Sequence, residues 1–257
     1  MRKASGKPRT APLKVRLVGR NCADLLPLLR RYPIELLPEK SKARPQLVIS
    51  SGGDGSLLGA ERDYPGIPKC PIRDRANNPN CALHDEEKIL EALFAGTLPA
   101  QSLPRIVATL PDGTELAGLN DIVISRKNLL ATIRYRIRQD GRMLRPQVIA
   151  DSLILSTAFG STGYFQSITR GNFQHGVGVA CNNPLDGEIF TVLPEETALE
   201  VELLRGPAVV MADNNPRLVS LETGARIGIR LSRERTLVYG LEAFRCQECY
   251  LLRRNGK

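Results

Sequence analysis

The residue types best suited to chemistry lie together in Ser50-Ser51-Gly52-Gly53-Asp54-Gly55-Ser56, after an apolar run and before a helix-like one. Glycine has no Cβ, so the backbone can turn sharply and bring its N–H groups against a phosphate. A helix starting beside such a turn adds its positive end to any bound anion. Gly52, Gly53, Gly55 and Ser56 are therefore candidate phosphate ligands, and Asp54 stands out. A carboxylate among phosphate-facing amides is electrostatically misplaced unless it has a task, such as accepting a proton from a hydroxyl or holding a magnesium ion. The same residues also read as a tight strand-to-helix turn with Asp54 as the cap. Neither G-x-x-x-x-G-K-[ST] nor a convincing G-x-G-x-x-G is present.

Three further concentrations follow along the chain. Ala150–Tyr164 (ADSLILSTAFGSTGY) leads an apolar strand into hydroxyls and glycines and ends on a tyrosine ring. Asn120-Asp121 is a polar pair inside LNDIVISR, either a strand start or a recognition pair for an amide-rich ligand. Asp213-Asn214-Asn215 lies between VVMA and PRLVSL and by itself reads as a hairpin turn.

The elements that must position these residues fall into two textures. From Leu13 to Leu103, strands at Val15–Val18, Ile34–Leu37 and Gln46–Ser50 alternate with helices at Cys22–Arg31, from Ser56, and at Asp85–Phe94. Pro27 is expected to interrupt the first helix; the last has acids in its first turn and Gly96 beyond its end. Such alternation argues for a parallel sheet covered by helices. From Arg105 the pattern changes to strands and turns: Ile106–Leu110, a run to Ile124, Ala131–Arg138, Val148–Leu155, Leu199–Leu204, Ala208–Ala212, Arg226–Leu231 and Leu237–Gly240. The expected domains are residues 13–103, α/β, with the glycine loop, and 104–235, β-rich. Residues 1–12 read as a disordered basic arm: they have the basic start of a signal peptide without its apolar stretch.

The length of 257 residues suits one large or two modest domains, and 42% apolar with 25% charged residues excludes a wholly disordered chain. Thirty-six Lys and Arg against 27 acids give a net charge of +9, which favours phosphate-bearing partners without choosing among them. No run approaches the roughly 18 apolar residues of a membrane span, and a cytoplasmic protein is expected. Six Tyr, six Phe and no Trp, with no aromatic–basic stripe, count against nucleic-acid binding. Two histidines leave little room for a multi-histidine centre, and six cysteines in a chain of this length do not make a disulfide framework. Cys246-x-x-Cys249 has zinc-ligand spacing that Cys70 and Cys81 could complete, although buried reduced thiols are the ordinary state of such residues.

Taken in order, GGDGS, LNDIVISR, ADSLILSTAFGSTGY and Asp213-Asn214-Asn215 resemble the NAD kinase family over roughly residues 45 to 231, with gaps. GGDG alone is shared with diacylglycerol kinases, sphingosine kinases and related phosphofructokinases; the GSTGY segment with the Asn-Asp pair narrows it. The resemblance implies that Asp54 is the base that activates the 2′-hydroxyl of adenosine ribose and that Gly52, Gly53, Gly55 and Ser56 hold phosphates. It implies that Asn120, Asp121, Asp151, Gly160, Ser161, Thr162, Gly163 and Tyr164 bind NAD. Asp213 falls at the family's second aspartate and Asn215 at its glutamine position. It further implies an N-terminal Rossmann-like α/β domain, a β-rich sandwich-like domain, residues 236–257 returning to the first, and a homodimer or tetramer. Mg2+ with ATP or another phosphoryl donor is implied, with no dedicated protein metal site.

The departures are specific. Ile67–Cys81 (IPKCPIRDRANNPNC) replaces G-x-N-x-G-x-L-G-F, Ala158-Phe159 replaces Pro-Thr, Gly163 replaces alanine, and Asp-Asn-Asn replaces Asp-Gly-Gln. They leave the phosphate loop intact and alter the nucleotide pocket walls. The alternatives are a kinase of the same superfamily acting on another hydroxyl, and a non-catalytic nucleotide or nucleic-acid binder.

Overall fold

The computed structural model describes residues 11–73 and 84–246. Most of the arm, residues 1–10, lies outside them, as do Cys81, Cys249 and the rest of 247–257. Two compact units emerge. Within the described residues the first comprises 11–60, 64–73, 84–101 and 237–246, and the second comprises 61–63 and 102–236.

In the first unit, strands β1 (Leu13–Gly19), β2 (Ile34–Leu36), β3 (Leu47–Ser51) and β4 (Lys69–Ile72) form a parallel sheet in the order β2-β1-β3-β4. Every residue of β3 is buried, as expected of an inner parallel strand covered on both faces. Helices α1 (Cys22–Leu29), α2 (Asp54–Asp63) and α3 (Glu86–Phe94) belong to this part of the chain. The core joins Val15, Leu29, Ile49, Ile72 and Leu90. α3 shows its sequence logic directly. Asp85 caps it by accepting from the N–H of Glu87 and Lys88 at 3.0 and 3.2 Å. Gly96 supplies the positive φ of +74° just past its end.

The second unit packs two antiparallel arrangements around one core. Here β5 (Ala100–Thr109) pairs with β6 (Glu115–Gly118). β8 (Ile133–Gln139) pairs with both β9 (Arg142–Ala150) and β13 (Leu199–Arg205), and β13 with β16 (Arg226–Tyr239). A six-stranded sheet runs β12 (Phe190–Leu193), β11 (Val177–Asn182), β10 (Ser152–Thr157), β7 (Asp121–Arg126), β14 (Ala208–Ala212), β15 (Val219–Leu221). Ile106, Ile124, Tyr135, Leu153, Val201 and Val210 meet in the shared core. Two short helices complete the chain: α4 (Tyr164–Thr169) in the second unit and α5 (Leu241–Phe244) in the first.

Four readings need correction. Pro27 does not interrupt α1, because only one intrahelical bond, to the fourth residue before it, is forfeited. Val148–Leu155 is two strands, β9 and β10, split at Asp151. Arg226–Leu231 and Leu237–Gly240 are parts of one strand, β16: the charged stretch between them stays in the ladder while its side chains bond outward, Arg235 to Ser102 at 3.1 Å. The helix expected from Ser56 starts at Asp54. The sequence gives no sign of strands β4, β11, β12 and β15 or of helices α4 and α5, since KCPI and its counterparts are too short or too irregular to show a period.

Candidate functional site

The glycine loop joins β3 to α2 inside the first unit. Gly52 adopts φ +131°, a conformation that requires glycine, and a Cβ there would stand 2.4 Å from Ser56 Oγ. Gly52 N–H donates to the Ile72 carbonyl at 2.9 Å, tying the loop to β4. Gly53 occupies the N-cap of α2 and no side chain caps the helix, which leaves its first turn shaped for an anion. Asp54 is the first helical residue, not the cap. Its carboxylate instead accepts from Arg73 Nη2 at 3.2 Å, and Arg245 Nε lies 3.9 Å away.

Neither arginine was singled out in the sequence. Arg73 donates from Nε to the Phe244 carbonyl at 2.9 Å, and its guanidinium sits 4.3 Å over the Phe244 ring. The signal available was its position in IPKCPIRDRANNPNC, the segment that departs most from the family pattern.

The second unit assembles its own polar cluster where β6, β10 and β14 end and β7 begins. Asp213, at φ +48°, turns its carboxylate onto three backbone N–H groups: Leu119 at 2.8 Å, Asn120 at 2.8 Å and Asp121 at 3.1 Å. Its own N–H donates to the Asp121 carbonyl at 3.0 Å. Asp213 is thus a brace for the Asn120–Asp121 pair. Gly118 makes room for it, since a Cβ there would stand 2.5 Å from Asp213 Oδ1. Burial first, and the Asp213 charge second, push the Asp121 carboxyl up to about 7. Burial also raises Asp213, opposed by the three amides.

Gly160 packs on the same pair: a Cβ would lie 2.1 Å from the Asn120 carbonyl oxygen. That carbonyl accepts from Thr157 N–H at 2.8 Å, and Thr157 Oγ1 in turn accepts from Gly160 N–H at 2.9 Å. Asn120 Oδ1 is buried and has no hydrogen-bond partner among the described residues. Ser161 is occupied internally, donating to the carbonyl of Ala158 at 2.7 Å. Thr162, Gly163 and Tyr164 are exposed. Tyr164 Oη accepts from Asn182 Nδ2 at 3.3 Å and lines a cleft of about 600 Å³ with Ile168, Asn183 and Leu185. Asn215 closes the β14–β15 turn, its N–H donating to the Ala212 carbonyl at 3.0 Å.

Asp151 is not brought to this cluster. β10 pairs Ser152 with Ser125 and Ser156 with Asp121, so Asp151 lies at the opposite end of the strand, roughly 17 Å away at about 3.3 Å per residue. There it pairs with Arg126 and accepts from Asn183 Nδ2 at 3.2 Å.

The zinc reading concerns Cys70 and Cys246, both buried, and Cys81 and Cys249, outside the described residues. Burial pushes the Cys70 thiol up to about 12. Among the described residues no group of three or more His, Cys, Asp or Glu is placed to hold a metal ion. No helix among them is long and apolar enough to cross a membrane.

Fold and loop together define a two-part protein, an α/β unit with a strand–glycine loop–helix turn and a β-rich sandwich unit. No family model matches the chain. In sequence it is similar to the NAD kinase of Cupriavidus pinatubonensis, 27% identical over 222 residues, covering 80% of this chain and 71% of the relative. The NAD kinase of Paraburkholderia phytofirmans is 25% identical over 226 residues, with 79% and 71% covered. In fold it matches an NAD kinase from Archaeoglobus fulgidus solved in complex with ATP, with a TM-score of 0.75 at 20% identity over 92% of this chain and 97% of that one. A yeast NADH kinase complexed with NADH matches with a TM-score of 0.71 at 15% identity, covering 90% and 84%. The chain is thus similar to NAD kinases in sequence and in fold.

Proposed function

We propose that this protein is an NAD kinase, transferring a phosphoryl group from ATP or another donor to the adenosine-ribose 2′-hydroxyl of NAD. The observation that carries the reading is Asp54: an acid at the first position of α2, beside the obligatory glycine turn, where phosphate-directed amides begin. Phosphoryl transfer is mainly a matter of positioning and charge neutralisation, and one carboxylate in reach of the hydroxyl serves as base. Gly52, Gly53, Gly55 and Ser56 hold donor phosphates. Asn120, Asp121, Gly160, Ser161, Thr162, Gly163 and Tyr164 receive NAD, and the buried Asn120 Oδ1 is an acceptor suited to an amide or amino group of such a ligand. Asp213 positions that set, with Asn215 in the turn beyond it. Asp151 is assigned to closing the strand end.

Mg2+ enters with the donor, neutralising its phosphates. The described residues do not build a cage for it, and no step is assigned to it. The proposal includes a cytoplasmic homodimer or tetramer.

The test is NADP formation by the full chain from NAD, ATP and magnesium. Turnover establishes the reading. Absence of turnover while calorimetry still detects NAD binding replaces ATP by another donor such as polyphosphate. Absence of both transfers the reaction to a different hydroxyl.

A further inference from the structure

We propose that Arg73 is a phosphoryl-binding residue of this reaction, a fixed cation that holds the Asp54 carboxylate and a donor phosphoryl oxygen side by side. The inference rests on the NAD kinase reading and adds a residue outside its motifs. A base carboxylate brought up to a phosphate sets two anions against each other, and like charges at that distance repel strongly in a partly desolvated site. A guanidinium bordering both offsets the repulsion, and its planar fork suits carboxylate and phosphoryl oxygens alike.

Three observations place Arg73 in that role. Its Nη2 already donates to Asp54 Oδ1 at 3.2 Å. The arginine is the fixed member of the pair: its side chain is 7% exposed against 46% for Asp54. Nε is tied to the Phe244 carbonyl, and the Phe244 ring lies beneath the guanidinium. Nη1 stands 3.3 Å from where a Cβ on Gly53 would be, so the guanidinium borders the glycine loop itself. Arg245 adds a second charge on the same carboxylate at 3.9 Å. Burial pushes Arg245 down to about 10, still cationic at neutral pH.

In the step, the 2′-oxygen forms a bond to the terminal phosphorus as the bond to the bridging oxygen breaks. The electron pair of that bond leaves on the nucleoside diphosphate, and the hydroxyl proton passes to Asp54. Arg73 keeps its protons throughout.

The experiment compares full-length protein with Arg73→Ala and Arg73→Lys, reading kcat, donor KM, NAD affinity and Tm, each alone and combined with Asp54→Asn. The expected result is a fall in kcat of about 10²–10³-fold for Arg73→Ala, the scale of a lost transition-state donor, with NAD affinity unchanged and Tm lowered, since the Phe244 carbonyl and ring lose their partner. Arg73→Lys is expected to lose about tenfold or more, because an ammonium lacks the fork. In the Asp54→Asn background Arg73→Ala is expected to add little, since the two act as a unit. Parental kcat in either variant overturns the proposal. So does a loss of kcat matched by an equal loss of NAD affinity, which makes Arg73 structural; Arg73→Lys decides if Arg73→Ala does not fold. Absence of NADP formation by the parent protein overturns the NAD kinase reading instead.

Discussion

Asp54 in the first unit is half exposed and faces two arginines, whereas Asp213 in the second is turned wholly onto the N–H groups of Leu119, Asn120 and Asp121. Both carboxylates stand in the motifs by which the sequence resembles the NAD kinases, and their surroundings give them different work. A carboxylate that is open to solvent and steadied by cations from one side can meet a substrate. One whose oxygens are committed to three backbone amides fixes a loop and presents other residues. Motif membership therefore marks the neighbourhood of a site, and the hydrogen-bond partners say what each residue does there.

The contrast can be broken by substitution. The largest effect is expected at Asp54, where Asp54→Asn should cut turnover by about 10²-fold or more, the range of a lost acid–base group, while NAD binding persists. Next comes Asp213→Ala, which orphans three backbone N–H groups. At roughly 1 kcal/mol or more for each, a stability loss of about 3 kcal/mol is expected in chemical denaturation, with NAD affinity lost alongside. An effect confined to turnover would make Asp213 chemical after all.

A smaller effect concerns Asp121. Its folded-state value near 7 lies above that of an ordinary carboxylate, so between about pH 4 and pH 7 the native protein retains a proton that the unfolded chain has released. Stability contributed by the neutral form is present at low pH and is lost as pH rises through that window. Asp121→Asn should flatten this fall in a Tm–pH series; a parallel curve would contradict it. The smallest effect is expected for Tyr164→Phe, which removes one exposed 3.3 Å hydrogen bond to Asn182. Its Tm should match the parent's, within about 0.5 kcal/mol of stability.

What the sequence disclosed follows the reach of each interaction. Ala208–Ala212 and the Asp85-capped helix α3 were legible because alternation and capping are local. The glycine turn was legible because Gly52 must adopt a conformation other residues avoid. β10 was blurred into β9 because the chain changes partners at Asp151 without a break in apolar character. At the candidate site the residue types were visible and their roles were not. Asp213-Asn214-Asn215 looked like a turn, which it is, but its grip on residues 119–121 spans more than ninety positions. The Arg73–Phe244 contact spans 171. Arg73 sits in the segment marked only as a departure from the family, and nothing periodic announces a pairing formed over that distance. For Gly160 the structure adds a packing reason that the sequence does not show, its contact with the Asn120 backbone.

The most direct test of the division of labour sets Asp54→Asn and Asp213→Ala beside the parent protein and measures kcat for NADP formation and the NAD dissociation constant in each. The account predicts that Asp54→Asn loses turnover and keeps NAD affinity, and that Asp213→Ala loses affinity. Full turnover in Asp54→Asn, or undiminished affinity in Asp213→Ala, would contradict it.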